Sequence, residues 1–167
     1  HTNNGWLNLS GSEYVDAGGS SVLAFANDFT FESWFKCESI SSEMILGDGA
    51  NDDWIRITDV NTIKVNLADS FVGGGDWDFG SRTFTNNAWN HFTLVRSANV
   101  LTAYVNAEAD SQQYTLAGVF QPEPFYIGLE GSSYFNGQID ELRMYNRALS
   151  AAEILKNYNH GKGKHKN

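Results

Sequence analysis

The sequence predicts an all-β protein, a two-sheet antiparallel β-sandwich of the jelly-roll type with one short C-terminal helix. Most segments alternate apolar and polar residues with a period of two, which is the repeat of a strand that buries one face. Clusters of Gly, Asn, Asp and Ser separate these segments at short intervals and predict turns. With 41% hydrophobic and 14% aromatic residues, the 167-residue chain can bury one core, and disorder is excluded.

The clearest strand is predicted at Asp28 to Cys37, where three phenylalanines and Cys37 share one face. Thr62 to Leu67 repeats the pattern with Ile63 and Val65 on its apolar side. Seven further segments alternate in the same way: Glu13 to Ala17, Met44 to Gly47, Trp54 to Thr58, Trp89 to Arg96, Val100 to Asn106, Phe125 to Leu129 and Gln138 to Tyr145. Strands spaced this closely favour two stacked sheets.

One helix is predicted after Ser150, which forms a capping box with Glu153. Ile154, Leu155 and Tyr158 give this helix an apolar side, and a glycine at 161 is a stop signal. We therefore predict one domain over residues 1–161. Residues 162–167 are predicted to form a flexible basic tail.

The charge distribution argues against nucleic acid as a partner. The formal net charge is −9, and three of the eleven basic residues fall in the last six positions, so the body carries 8 minus 20, or −12. A protein that binds phosphate backbones needs clustered Lys and Arg. Anionic membrane surfaces are disfavoured for the same reason, and no apolar run is long enough for membrane insertion.

Cys37 is the single cysteine, so no intramolecular disulfide is possible, and its apolar surroundings predict a buried thiol. The cysteine content leaves the redox compartment open. The chain begins at His1 without a methionine or an apolar leader, which suggests a domain of a longer or processed protein.

Several blocks follow one another in a characteristic order. Tyr134 to Ser150 contains Gly-x-Ile-Asp-Glu, then Asn-Arg-Ala-Leu-Ser and a short helix. Trp89 to Arg96 begins with Trp-Asn-His and precedes the strand Tyr104 to Asn106; Phe29 to Phe35 reads FTFESWF; Leu9 to Val15 reads as a first hairpin. Together these blocks resemble the laminin G-like, concanavalin A-like domain family over nearly the whole chain. The resemblance implies a sandwich of about a dozen strands that serves as a binding module in secreted enzymes, adhesins and surface proteins.

The resemblance also implies a structural calcium ion. Its expected ligands are Asp140 of the Ile-Asp-Glu strand and backbone oxygens at Gly11 of the first hairpin. Ser10 departs from the Asp that relatives carry there, so one oxygen ligand is missing. The alternative is that Asp140 pairs with Arg143 or Arg147, and the sequence leaves both interpretations open.

Two glycine-bearing loops each place a tryptophan beside carboxylates: Gly47 to Trp54 and Gly73 to Phe79. These loops are the candidate ligand site. Aromatic rings stack on the apolar face of a sugar, while Asp and Asn accept hydrogen bonds from its hydroxyls. A third loop aromatic, Tyr134, is added to the set. The predicted ligand-binding residues are Trp77, Trp54, Tyr134, Asn51, Asp52, Asp53 and Asp76.

Burial is the alternative for each tryptophan. The case for burial in the core is stronger for Trp54, because a tryptophan in a sandwich strand usually packs against other core side chains. Trp77 is flanked by charges and preceded by three glycines, so we predict that it is exposed. Trp6, Trp34 and Trp89 are assigned structural roles in strands.

Catalysis is not predicted. The paired carboxylates of related glycoside hydrolases lie on alternate residues of one strand, and no Glu-x-Asp-x-x-Glu run occurs here. No Gly-x-Ser-x-Gly elbow and no phosphate loop is present. The four histidines lack metal-ligand spacing, and His91 is predicted to hydrogen-bond within the sheet.

The predicted function is a non-catalytic recognition module of a secreted or surface-exposed protein, with a glycan or polysaccharide as its partner. An adhesion or assembly module that binds another protein is the alternative, and it would need an exposed apolar patch or a free sheet edge. A degenerate hydrolase is a weaker third hypothesis.

Overall fold

The structure is a computed structural model that describes residues 5–18, 27–38, 43–47, 53–59, 62–67, 77–116 and 125–166. Within these ranges the chain forms fourteen strands and one helix: β1 Leu7–Ser10, β2 Val15–Asp16, β3 Phe29–Cys37, β4 Glu43–Gly47, β5 Asp53–Asp59, β6 Thr62–Leu67, β7 Trp77–Phe79, β8 Asn90–Ser97, β9 Val100–Val105, β10 Glu108–Thr115, β11 Tyr126–Ile127, β12 Leu129–Glu130, β13 Ser133–Tyr134, β14 Asn136–Tyr145 and α1 Ala151–Lys162. No helix among the described residues is long and apolar enough to span a bilayer.

The strands form two antiparallel six-stranded sheets. Sheet 1 has the order β1-β14-β3-β8-β9-β10, and sheet 2 has the order β2-β11-β4-β5-β6-β7. The hairpin β12–β13 belongs to neither sheet and packs against β4 of sheet 2. The predicted two-sheet sandwich is confirmed.

The core lies between the sheets, and the period-two pattern sets which side chains enter it. From sheet 1, Phe31 and Phe35 of β3 are buried in the core; from sheet 2, Ile55 and Ile57 of β5 are buried there. The Cys37 side chain is buried in the same core, as predicted. Each strand therefore turns its alternate residues to an outer face that points away from the core.

The outer face of sheet 1 is covered by α1. The sequence predicts a half-buried β3, but Glu32 and Trp34 on its second face are 0% and 2% exposed. Tyr158 of α1 stacks on Trp34 with ring centroids 5.6 Å apart, and Asn157 bonds to Glu32. A residue that alternation assigns to solvent is buried here because the helix packs over it.

The predicted capping box begins α1. The Ser150 hydroxyl accepts from the Glu153 amide at 3.3 Å, and the Glu153 carboxylate accepts from the Ser150 amide at 2.9 Å. The helix runs one residue past the predicted stop, to Lys162. Gly161 is instead a packing residue, because a Cβ at this position would overlap the Trp34 indole.

The predicted flexible tail at residues 162–167 is wrong for the part that the structure describes. Lys162 belongs to α1, and His165 is 4% exposed. The His165 imidazole lies 4.5 Å from the Trp34 ring, and its Nε2 is 2.8 Å from Asp140 Oδ2. The chain folds back after α1 because Trp34 and Asp140 together offer an aromatic face and a carboxylate to one histidine.

Two-residue turns join β8 to β9 and β9 to β10, and their residues have left-handed φ values. In the first turn Ala98 has φ 48° and Asn99 has φ 67°. Alanine is disfavoured in this region because its Cβ approaches the following carbonyl.

We expect Ala98→Gly to raise the free energy of unfolding by about 0.5–1 kcal/mol, since relief of this clash exceeds the added entropy of the unfolded chain. Denaturant titration measures the change. Ala152→Gly, an exposed helical position, is the matched control and should be destabilising. Equal signs for the two variants would contradict the explanation.

Candidate functional site

The outer face of sheet 2 carries the aromatic and charged residues closest to the predicted site. In β5, Ile55 and Ile57 enter the core, so Trp54 and Arg56 point the other way. Trp54 pairs with Gly47, and Gly47 pairs with Tyr126. Directly paired residues share a face, so Trp54 and Tyr126 lie on the same outer surface with a glycine between them.

Tyr14, Tyr126 and Tyr134 form a tyrosine cluster beside this surface. The Tyr14 ring contacts Tyr126 edge-on at a centroid distance of 5.1 Å and Tyr134 at 6.5 Å. Tyr14 is 46% exposed, and the other two are half-buried. No hydrogen bond engages their hydroxyls within the described residues, and the Tyr14 ring is the most exposed of the three.

The hairpin β12–β13 holds Tyr134 in place. Gly47 lies against Glu130 and the Leu129 carbonyl so closely that a Cβ there would overlap both. The Gly128 amide donates to the Ile45 carbonyl at 3.0 Å, just before the hairpin begins. A glycine in β4 is thus what lets the hairpin lie on sheet 2 and carry Tyr134 to Tyr14.

Charged groups continue the surface. The Arg56 guanidinium carbon lies 4.3 Å from the centroid of the Trp54 ring, and Lys64 Nζ is 3.0 Å from an Asp78 carboxylate oxygen. Trp54 is only 5% exposed, so its ring is not itself a stacking surface. Arg56 presents the donors here instead, held by a cation–π contact.

The prediction that Trp77 is exposed is wrong. Trp77 pairs with Val65, is 8% exposed and belongs to the core, while its neighbour Asp78 points outward. Neighbouring residues of a strand point to opposite faces, so Trp77 and Asp78 cannot both face the core. Burial of the apolar tryptophan is the favoured arrangement. Asp53 is also fully buried, at the start of β5. Asn51, Asp52 and Asp76 lie outside the described residues.

Asp140 and Gly11 are not brought together. Ser10, next to Gly11, pairs with Asn136, which is four residues from Asp140 on β14. At about 3.3 Å per residue this separates the two positions by about 13 Å, too far for one ion. Gly11 lies beside the Asn136 side chain instead.

Asp140 has other partners than those the sequence suggests. Its Oδ2 is 2.7 Å from Lys164 Nζ and 2.8 Å from His165 Nε2. Burial raises the pKa of Asp140, but the hydrogen bonds from Lys164 and His165 outweigh it and hold the pKa below its ordinary value. The predicted pairing with Arg143 or Arg147 does not form: these bind Glu32 and Glu153.

Asp140, Glu141 and His165 place one potential metal-ligand atom each within 4.8 Å of one another. The Lys164 ammonium lies in the same group, 2.7 Å from Asp140 and 3.5 Å from Glu141. Calcium prefers six to eight oxygens, which two carboxylates that share an imidazole and an ammonium do not supply. This group does not fit the calcium ion that the resemblance implies.

We expect a chelator to leave the melting temperature unchanged, because Asp140 already pairs with Lys164 and Glu141 with Arg143. A thermal melt with EDTA, compared with one in millimolar calcium, tests this expectation. An ion that binds only the native state must raise stability, so a higher melting temperature in calcium would restore the calcium site.

A buried polar network joins sheet 1 to α1, and the sequence did not reveal it. The Glu32 carboxylate accepts from Arg143 Nη1 and the Tyr145 hydroxyl at 2.9 Å, and from Asn157 Nδ2 at 3.1 Å. His91 is 1% exposed, and its Nε2 is 3.8 Å from Glu32. The sequence signal that could have revealed this network is the alternation in β3 and β14, because it puts these side chains on one face.

The prediction that His91 hydrogen-bonds within the sheet is confirmed only for its backbone. Its backbone amide donates to Asn106 Oδ1 at 2.9 Å, but neither ring nitrogen has a hydrogen-bond partner among the described residues. Burial lowers the pKa of His91 from 6.5 to about 4, and the nearby Glu32 only partly offsets this effect. The imidazole is therefore neutral near pH 7.

The sequence model of the concanavalin A-like lectin/glucanases superfamily matches residues 9–155. No curated protein matches the chain. The solved structures that share the fold include the following three. Domain 4 of the Geobacillus stearothermophilus arabinanase AbnA, in complex with arabinotriose, has a TM-score of 0.70 and 19% identity, covering 90% of this chain and 75% of that one. The CBM40 of the Ruminococcus gnavus IT-sialidase, bound to α2,3-sialyllactose, has a TM-score of 0.65 and 14% identity over 92% and 96%. Domains LG4-5 of the mouse laminin α1 chain have a TM-score of 0.65 and 15% identity over 87% and 44%.

Proposed function

We propose that this chain, which belongs to the concanavalin A-like lectin/glucanase superfamily, is a non-catalytic carbohydrate-binding module of a secreted or surface-exposed protein. The observation that carries the proposal is the tyrosine cluster. It combines the exposed Tyr14 ring and two half-buried rings with hydroxyls that no hydrogen bond engages within the described residues.

The chemistry of this surface suits a sugar. A pyranose or furanose ring has apolar C–H groups that pack on an aromatic face, and Tyr14 offers the most exposed one. Tyrosine hydroxyls donate and accept hydrogen bonds, and on β5 of the same face the Arg56 guanidinium offers further donors. Two of the structures with this fold hold oligosaccharides, arabinotriose in one and sialyllactose in the other, which supports the same class of ligand here.

The protein-binding alternative receives less support. Its predicted marks are a contiguous apolar patch or a free sheet edge, and the described residues lack the apolar patch. The exposed large apolar side chains among the described residues are Tyr14, Val100 and Leu155, which lie before β2, in β9 and in α1.

We expect the double variant Tyr14→Ala/Tyr134→Ala to lose at least about tenfold in affinity for its best sugar, or about 1.4 kcal/mol, because both ring faces are removed. A glycan array identifies the sugar, and calorimetry measures the affinity. Tyr14→Phe/Tyr134→Phe keeps the rings and separates stacking from hydrogen bonding.

Val100→Ala, an exposed apolar position on sheet 1, is the control and should bind like the wild type. Circular dichroism of each variant confirms the fold. Unchanged affinity in the double alanine variant would remove the tyrosine cluster from the site.

A further inference from the structure

A second cleft lies on the other side of the sandwich. It has a volume of about 470 Å³ and opens on the outer face of sheet 1, at the end away from the Glu32 network. This volume is within the range of about 300–1,000 Å³ that is typical of small-ligand pockets. The tyrosine cluster is on sheet 2, so the two surfaces face opposite directions.

Three adjacent strands supply the floor of the cleft. Asn8 of β1 pairs with Gln138 of β14, and Gln138 pairs with Lys36 of β3. Their neighbours Leu9, Ile139 and others enter the core, so these three side chains stand side by side on the outer face, about 5 Å apart. The sheet thus presents a row of polar groups at fixed spacing.

The hydrogen-bonding capacity of this row is not used internally. Within the described residues no side-chain hydrogen bond or ion pair engages Asn8, Gln138 or Lys36. Each carboxamide offers two N–H donors and a carbonyl acceptor, and the lysine offers three donors. A ligand hydroxyl, which both donates and accepts, matches such a carboxamide row.

The walls of the cleft are held in place. The Asn87 amide donates to the Cys37 carbonyl at 2.8 Å and fixes one side. On the other side, the Glu13 carboxylate accepts from the Ser10 amide and hydroxyl at 2.8 and 2.7 Å. A preformed cleft costs less ordering on binding than one that must close.

Charge selects the class of ligand. Lys36 is the cationic residue that lines the cleft, and Glu13 and Glu38 line it too, so a polyanion gains no net attraction. The Glu13 carboxylate is already engaged by Ser10, and among the described residues no group of three His, Cys, Asp or Glu ligands lies at the cleft, so a metal ion is not favoured. A neutral, polyhydroxylated molecule remains.

We propose that this cleft is a second saccharide site, for a neutral oligosaccharide, and that the protein is therefore bivalent as a monomer. The inference rests on the proposed function for its class of ligand, but it involves different residues on the opposite face. Two sites on opposite faces allow one molecule to link two polysaccharide chains, which raises the avidity for an insoluble glycan.

Amide chemical-shift mapping tests the proposal. The probes are neutral trisaccharides of arabinose, glucose, mannose and galactose, titrated to about 20 mM, a concentration that detects dissociation constants in the millimolar range. For at least one probe, shifts are expected in two groups: around Lys36 and Gln138, and around Tyr126 and Tyr134. Asn8→Ala/Gln138→Ala should weaken binding at the first group at least fivefold and leave the second unchanged.

Gln113→Ala is the matched control, an exposed glutamine on the outer face of sheet 1 at a distance from the cleft, and it should change neither group. No shifts around Gln138, or shifts that persist in the Asn8/Gln138 variant, would overturn the second site. Shifts around Gln138 without any around Tyr126 would instead overturn the proposed tyrosine site and support the cleft.

Discussion

Arg143→Met should lower the free energy of unfolding by about 2–3 kcal/mol, because it leaves the buried Glu32 carboxylate without its cation. Loss of one partner of a fully buried pair typically costs about 3–5 kcal/mol. Arg143 is 36% exposed, so solvent screens part of the interaction and the smaller value applies. Urea titration at pH 7 measures the loss.

Arg147→Met is the matched control. Arg147 also pairs with a glutamate, Glu153, but the two side chains are 54% and 41% exposed. Such surface pairs contribute little, so the control should be much less destabilised. The double variant Glu32→Gln/Arg143→Met should recover part of the loss, since a neutral amide oxygen still accepts from Tyr145 and Asn157. Equal losses in the two single variants would contradict the role of the network.

His91 should make the protein less stable in acid. Its pKa is about 4 in the folded protein and 6.5 ordinarily, so between these values the unfolded chain binds the extra proton. The stabilisation is complete above pH 6.5 and is lost as the pH falls through 4. The free energy of unfolding should fall by roughly 3 kcal/mol over this pH range.

Urea titrations from pH 4 to pH 7 test this prediction in the wild type and in His91→Gln. Glu13, Asp140 and Glu153 have lowered pKa values and also make the protein less stable in acid, so the difference between the two curves gives the His91 contribution. His160→Gln, an exposed histidine on α1, is the control. Parallel curves for wild type and His91→Gln would disprove the assignment.

Local patterns were sufficient for the sandwich and for the start of the helix. Alternation in β3 and β6 assigned the core faces correctly, because each strand sees the same sandwich interior along its length. The capping box at Ser150 is a contact within four residues, so sequence spacing alone specifies it. The motif blocks placed these elements in the correct family.

The site was harder to predict because it depends on contacts between distant segments. Tyr134 was predicted as a ligand-binding residue from its loop alone, but its neighbours Tyr14 and Tyr126 come from other parts of the chain and meet it through the β12–β13 hairpin. Trp77 was assigned to a ligand because its neighbours are charged, whereas the pairing of β7 with β6 turns it inward. Burial of His165 depends on a slot between α1 and sheet 1, which no local pattern encodes.

The order of strands in sheet 1 has a consequence for biosynthesis. β14 lies between β1 and β3, so the last strand to leave the ribosome completes pairing for two of the first. Until residue 145 has emerged, the nascent chain holds β3 with one open edge beside its apolar face, the kind of segment that aggregates. Such distant pairing slows folding, so the domain must complete it after nearly all of its residues are synthesised.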